Sequence, residues 1–321
     1  MKRRTFLTAM AGMAVAPLVK AQALPAGPVK LIVGFSPGGG TDTMARVIAQ
    51  HLGALWGIPV VVENKAGASG VIAATYVAQQ PNDGTTLLMT NFSNHAIAPV
   101  LMPKIGYDVK RDFSPIMLVG ITPTVLIGNQ DQKANTVAEL VELCRKNPGQ
   151  ISFGSAGVGA AQHMALEMFK LRAKIDALHV PYRGSGAMAT DLLGGQINYS
   201  FETMTSATPL VSSGKVKALA QTGAQRAKSF PDIPTMAEQG FPGFEAGTWY
   251  GIVGPGGMNP ALVQRMNEDF NRVVAMPEVA EKLQGFGAED GGGSVDKFSA
   301  FIDAELKKWA EVVKEANVQP V

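Results

Sequence analysis

The chain has little of what most small exported or catalytic proteins rely on. There is one cysteine, Cys144, in 321 residues, so no intrachain disulfide can form. Cys144 falls within an apolar helical pattern and reads as a buried, inert thiol. After residue 23 no stretch approaches 18 consecutive apolar residues, so no membrane-spanning helix is expected and the mature chain should be soluble. Aromatic residues make up 7% and charged residues 17%, and no basic run interleaved with aromatics follows residue 23. Nothing therefore points to nucleic acid. The four histidines, His51, His95, His163 and His179, have no metal-ligand spacing with each other or with Cys144, so no metal site is expected.

Signatures of catalysis are missing too. The first glycine loop, residues 36–42, lacks the Lys-Ser/Thr ending of a nucleotide P-loop. Gly157-Val158-Gly159-Ala160-Ala161-Gln162 misses the third glycine of a dinucleotide fingerprint, and Tyr182 and Arg183 stand where the ribose-binding acid belongs. No Gly-x-Ser-x-Gly elbow is present. The expectation is a binding protein without a cofactor, not an enzyme. An enzyme acting on a small organic acid is the weaker alternative.

With 46% hydrophobic residues, the chain is long enough for two domains with real cores. Formal charge is +2, but Lys2, Arg3, Arg4 and Lys20 precede any acid, and the remainder is slightly acidic. Residues 1–23 read as an export signal: a basic start, a short apolar stretch over 6–18, and Ala21-Gln22-Ala23 before a cut at Leu24. Arg3-Arg4-Thr5-Phe6-Leu7 fits the twin-arginine type, with the general secretory route left open.

One phrase, strand then glycine loop then helix, occurs in both halves. The first copy is an apolar strand over 29–35, then Ser36-Pro37-Gly38-Gly39-Gly40-Thr41-Asp42, then a helix. The second is a strand over 151–153, then Gly154-Ser155-Ala156-Gly157-Val158-Gly159, then a helix. A helix start leaves backbone N–H groups unpaired and carries partial positive charge. Two such starts suggest opposed jaws on a small anion. Further strands are expected over 60–63, 86–90, 177–182, 197–201, 216–221 and 248–253. Residues 116–127 read as an extended connector broken by Pro123. Thr41 or Asp42 caps the first helix, Thr136 opens a capping box with Glu139, and Asn259-Pro260 starts another helix. Phe298, Phe301, Ile302 and Trp309 form the core stripe of the last one. Strand–helix alternation implies parallel sheet. One unit, a crossing, a second unit and a return make two lobes with a cleft between them.

Ser36, Asn64, Ser69, Asn91, Ser93, Ser155, Tyr182 and Thr203 sit at strand ends as neutral donors. The amides of Gly38, Gly39, Ala156 and Gly159 are the expected anion contacts, and Phe35 an apolar wall. Asp42 favours a capping role. Glu202, where a strand leaves the sheet, would repel an anion and favours a structural one. Arg183 is either a carboxylate fork or a solvated surface residue. His95 is ambiguous, and His163 favours a local hydrogen bond.

Taken together, Phe35-Ser36-Pro37-Gly38-Gly39-Gly40-Thr41-Asp42, Val62-Glu63-Asn64-Lys65, Gly154-Ser155-Ala156-Gly157-Val158-Gly159, Val180-Pro181-Tyr182-Arg183-Gly184, Asp191-Leu192-Leu193-Gly194-Gly195-Gln196 and Pro231-Asp232-Ile233-Pro234-Thr235 occur in order. The chain resembles the substrate-binding proteins of the tripartite tricarboxylate transporter class, the Bug family of periplasmic receptors, over essentially all of 24–321. The resemblance implies an α/β, two-lobed periplasmic-binding-protein fold (Venus flytrap, type II) with two hinge crossings. Lobe 1 would be 24–122 plus 246–321, and lobe 2 would be 123–245. It implies a periplasmic, monomeric receptor that binds a small carboxylate and hands it to transporter membrane subunits, or alternatively to a membrane signalling partner. It places Phe35, Pro37, Gly38 and Gly39 on one side of the ligand and Ser155, Ala156, Gly157 and Gly159 on the other. Asn91, Ser93, Glu202 and Thr203 complete the walls, and Asn64, Ser69 and Tyr182 join the expected set as strand-end donors. Ala66 stands where a proline is usual and Ala160 where a small hydroxyl residue is common. The second removes a donor near a helix start.

Overall fold

The computed structural model describes residues 24–102 and 104–315. The expected export signal, 1–23, lies outside the described residues. The first part of the chain alternates as read: β1 (Val29–Val33), α1 (Gly40–Trp56), β2 (Val60–Asn64), α2 (Val71–Ala78), β3 (Thr86–Asn91) and α3 (Ala98–Leu101). A long strand, β4 (Phe113–Asn129), leads to α4 (Val137–Lys146), β5 (Ser152–Ser155), α5 (Ala161–Ala173), β6 (Leu178–Pro181), α6 (Ser185–Leu193), β7 (Tyr199–Thr203), α7 (Met204–Ser212) and β8 (Val216–Gln221). The chain returns through β9 (Gly247–Pro255) and ends in α8 (Pro260–Val274), α9 (Pro277–Gly285) and α10 (Val295–Glu315).

Parallel pairing holds only within each strand–helix unit. β1 lies parallel to β2 and β3, and β5 parallel to β6 and β7. The crossing strands are antiparallel: β9 pairs with β3 and with β4. Pro123 does not break β4. It faces Gly247 at the last β9 pair, and from Thr124 onward β4 pairs with β7 and β8 instead. The missing N–H of a proline costs nothing where a strand changes partners.

The hydrophobic cores divide near the same point, except that Ala156, Ala160, Ala161 and Met164 pack with the first pair of clusters. Two clusters gather β1, β3, β9, α1, α8 and α10, with Leu31, Met44, Ile48, Phe270, Trp249 and Phe298 at their centres. Two others draw only on residues between Val125 and Ala246. In one of these, Phe153 stacks on Phe201 and Phe201 on Phe244, so a buried aromatic column runs through this core. The result is two α/β lobes bridged by strands.

Local chemistry explains the helix ends. Thr136 caps α4 by accepting from the Glu139 amide at 3.1 Å, and Asn259 accepts from Ala261 N at 2.9 Å. Neither Thr41 nor Asp42 caps α1. The helix begins two or three residues earlier, with Gly39 as its cap residue and Asp42 folded back onto the Gly38 amide at 2.9 Å. Cys144 is buried on α4, and burial pushes its thiol up to about 11.

Candidate functional site

Four helices of the two lobes start next to one another. α1 follows the loop after β1, α5 follows the loop after β5, and α6 and α7 begin at Gly184 and Thr203. No side chain caps any of the four. Ala160, the cap residue of α5, has no hydroxyl to offer. The starts surround a small cavity of about 20 Å³. Phe35, Gly39, Gly40, Thr41, Asn91 and Ser93 line it from the first lobe. Ala156, Ala160, Ala161, Gln162, Ser185 and Thr203 line it from the second, and Thr248 and Tyr250 from the β9 crossing. The lining holds no lysine, arginine or histidine. Positive potential there comes from the oriented N–H groups of helix ends, which suit an anion. Among the described residues no group of three or more His, Cys, Asp or Glu is arranged to hold a metal ion, and no helix is long and apolar enough to cross a membrane.

Of the residues singled out in the sequence, Phe35, Gly39, Asn91, Ser93, Ala156 and Thr203 lie on this lining. The others sit around it with partners of their own. The Gly38 amide donates to Asp42 and the Gly159 amide to His163 Nδ1 at 3.1 Å, so neither faces the cavity unpaired. Pro37 meets the opposite lobe, since its carbonyl oxygen lies close to Gly186. Asn64 donates to Phe35 O at 2.9 Å and to Asp42 Oδ1 at 2.8 Å, bracing the first loop. Burial opposes ionisation of Asp42, but the Arg46 guanidinium, the Gly38 amide and Asn64 outweigh it and hold the carboxyl below its usual range. Tyr182 donates to Asp191 Oδ2 at 2.7 Å. Arg183 is exposed, and only its carbonyl takes part, accepting from Ser36 N at 3.3 Å.

The second loop rests on two histidines. His163 and His179 stack at 4.0 Å with rings 16° apart. Ser155 Oγ lies 2.6 Å from His179 Nε2, accepts from Gly157 N at 3.1 Å and donates to Gly157 O at 3.0 Å. Its one proton goes to that carbonyl, so His179 Nε2 carries the hydrogen between them. Burial lowers both rings, His179 to about 3, and keeps the stack neutral. A serine beside a histidine resembles a nucleophile with its base. Here the serine is fully buried, off the cavity lining, and committed to its own loop. The arrangement shapes backbone.

Glu202 lies behind the lining with no exposed surface. Its Oε1 accepts from Gln162 Nε2 and Ser185 Oγ, both at 2.9 Å, from Thr203 N at 2.6 Å and from Thr203 Oγ1 at 3.1 Å. Burial raises its pKa while these four bonds oppose the rise. It joins α5, α6 and α7 at their starts, the structural role its position suggested. His95 is also remote from the cavity, buried between Tyr107 and Phe113 and pushed down to about 3 by burial. His51 bonds the Val47 carbonyl on its own helix.

Sequence reading missed Gly40, Thr41, Ala161, Gln162 and Ser185, and with them Thr248 and Tyr250. The first five are first-turn residues, one to three positions beyond the glycines. The last two share one face of β9 at period two, a signal readable only once β9 is known to border the cleft.

Direct contacts hold the lobes shut. Ser69 Oγ donates to Val158 O across the cleft at 2.5 Å. Ser69 reaches it from a left-handed turn, φ 51°, between Gly67 and Gly70. A side chain pays for that conformation only where something holds it there. Ser69→Gly is expected to keep the turn and lose the hydrogen bond. Ligand dissociation followed by stopped flow should quicken about fivefold, in line with about 1 kcal/mol for one neutral bond, with no fall in melting temperature. An unchanged dissociation rate would show that this bond does not secure the closed form.

A family model described as the tripartite tricarboxylate transporter family receptor matches residues 44–318. Protein BugT of Bordetella pertussis is 38% identical over 306 residues, which is 95% of this chain and 94% of BugT. Two solved structures superpose over most of the chain. Rpa4515 of R. palustris with adipate has a TM-score of 0.89 at 33% identity, covering 92% of this chain and 99% of that one. MatC (Rpa3494) from Rhodopseudomonas palustris with bound malate has a TM-score of 0.85 at 30% identity, covering 90% and 100%.

Proposed function

Because the chain belongs to the tripartite tricarboxylate transporter receptor family, we propose that it captures a small carboxylate between its lobes in the periplasm and delivers it to a membrane permease. It is a solute-binding receptor and not an enzyme. The observation that carries the carboxylate is the meeting of uncapped helix starts from both lobes at one cavity free of basic side chains. Hydrogen bonds from such groups to a carboxylate contribute about 1.5–3 kcal/mol each. A few of them, less the cost of ordering, support affinities of about −8 kcal/mol or better. The adipate and malate in the two structural relatives are small carboxylates of the same kind.

In this reading lobe 1 is 24–122 with 246–321 and lobe 2 is 123–245. The partner change in β4 at Pro123–Thr124 and the start of β9 at Gly247 support those limits. Residues 1–23 direct export, and the receptor works as a monomer. Phe35, Gly39, Asn91, Ser93, Ala156 and Thr203 contact the ligand together with Thr41, Gln162 and Ser185. Pro37, Gly38, Asn64, Ser69, Ser155, Gly157, Gly159, Tyr182 and Glu202 hold the loops that present them.

The test starts from protein unfolded, washed and refolded to remove any carried ligand. Calorimetry with mono-, di- and tricarboxylates from three to six carbons should find at least one that binds at micromolar level or tighter. Mass spectrometry of the material released on unfolding should find a carboxylate. A ligand-free protein that binds none of them would overturn the proposal.

A further inference from the structure

Most side chains on the cavity wall either donate hydrogen bonds or are already paired. Asn91 donates to Thr41 Oγ1 at 3.1 Å, and its oxygen accepts from Ser93 N at 3.0 Å. Ser185 and Thr203 both turn their hydroxyl hydrogens to Glu202. Gln162 differs. Its Nε2 donates to Ser185 Oγ and to Glu202 Oε1, both at 2.9 Å, which uses both amide hydrogens.

The two ends of an amide are usually interchangeable in a structure. Here they are not. Glu202 Oε1 takes four hydrogen bonds, one of them from a backbone N–H, while Oε2 takes none, so Oε1 is the accepting oxygen of the pair. The atom of Gln162 facing it must be the NH2. Any proton that Glu202 carries belongs on Oε2, which has no partner among the described residues. Gln162 Oε1 is thereby fixed as a carbonyl oxygen. It accepts nothing from the protein among the described hydrogen bonds, on a residue that lines the cavity.

We propose that Gln162 makes the site selective for carboxylates that also carry an O–H or N–H donor on the carbon chain, that is, hydroxy acids or amino acids. The inference rests on the carboxylate-receptor reading and narrows it. The amides at the helix starts hold the carboxylate. Gln162 Oε1 is an acceptor among them, and an unsubstituted acid leaves it dry and unpaired when the lobes close. An unpaired buried acceptor is penalised more heavily than a formed bond is rewarded. Glu202 is the positioning residue: it never meets the ligand and selects which end of the amide does.

The experiment compares pairs of equal chain length on ligand-free protein by calorimetry: lactate with propionate, malate with succinate, and glutamate with glutarate. In every pair that binds, the substituted acid should bind at least tenfold more tightly. The malate and glutamate arms tell a hydroxyl from an ammonium. Gln162→Met, similar in length without the carbonyl, should cut the ratio below threefold, chiefly by weakening the substituted acid. Glu202→Gln should also reduce the ratio, because an amide there lets Gln162 present either end. It carries the test if Gln162→Met does not melt cooperatively. A wild-type ratio near one overturns the selectivity and leaves the receptor reading standing. Equal weakening of both members of a pair by Gln162→Met overturns it as well. If no carboxylate binds, the receptor reading falls and this inference with it.

Discussion

Gly186→Ala should reduce ligand affinity at least 100-fold while leaving the unliganded protein as stable as before or slightly more so. Gly186 is the second residue of α6, in the second lobe, and faces the first loop of the other lobe. A Cβ there would lie 2.1 Å from the Pro37 carbonyl oxygen and 3.3 Å from Ser36 Oγ. The nearer atom is backbone and cannot rotate aside, so relief requires the lobes to part. The three nearest atoms all belong to the first lobe, so parting the lobes relieves them, and alanine in place of glycine favours the helix by up to about 1 kcal/mol. A closed state made about 2.7 kcal/mol less favourable lowers apparent affinity about 100-fold. Calorimetry against the best ligand and thermal melts without ligand read the two effects separately. Wild-type affinity in Gly186→Ala would mean that the ligand is held without the closure seen here.

Acid should destabilise the protein well before its carboxylates are protonated. Burial lowers His95 and His179 to about 3, and lowers His163 as well. A histidine whose folded-state pKa lies below the unfolded value of about 6.5 takes up its proton preferentially in the unfolded chain. Its contribution is complete above pH 6.5 and is lost as the pH falls toward 3. At pH 5, His95 and His179 should each have cost about 2 kcal/mol, about 4 together. Glu202, raised by burial, works in the opposite sense: its penalty grows as the pH rises from about 4.5, so acid relieves it and blunts the loss. Asp42 and Asp112, both held low, add a further loss below about pH 4. Urea unfolding at pH 7.5, 6 and 5 should show stability dropping by about 4 kcal/mol with an unchanged slope. His95→Gln should remove roughly half of that pH dependence. Stability that stays flat from 7.5 to 5 would refute the account.

The two strand–loop–helix units were legible because each is local. An apolar strand, glycines at its carboxyl end and an amphipathic helix all lie within about 25 residues, and each constrains the next. The long β4 was less so. A proline usually ends a strand, and only the partner exchange at Thr124, set by residues 80 to 120 positions away, lets Pro123 sit inside one. The site shows the same boundary. Ser69, Asn64 and Ser155 look alike in sequence, polar residues at strand ends. What separates them from Ser93 is the acceptor or brace each one finds: Val158 O, Asp42, His179. Those partners come from other elements, and periodicity carries no trace of them. Gln162 was hidden for a related reason. Its meaning depends on Glu202, 40 residues further on, which settles the direction of its amide.

A wall built from helix ends and hydroxyls, with no fixed cation, also determines how the protein meets its surroundings. Guanidinium or ammonium groups would draw anions from a distance and would be screened as ionic strength rises. Dipoles of a few N–H groups act only within the last ångströms, after water has left. The proposed capture of a carboxylate should therefore depend less on ionic strength than capture by a fixed cation would.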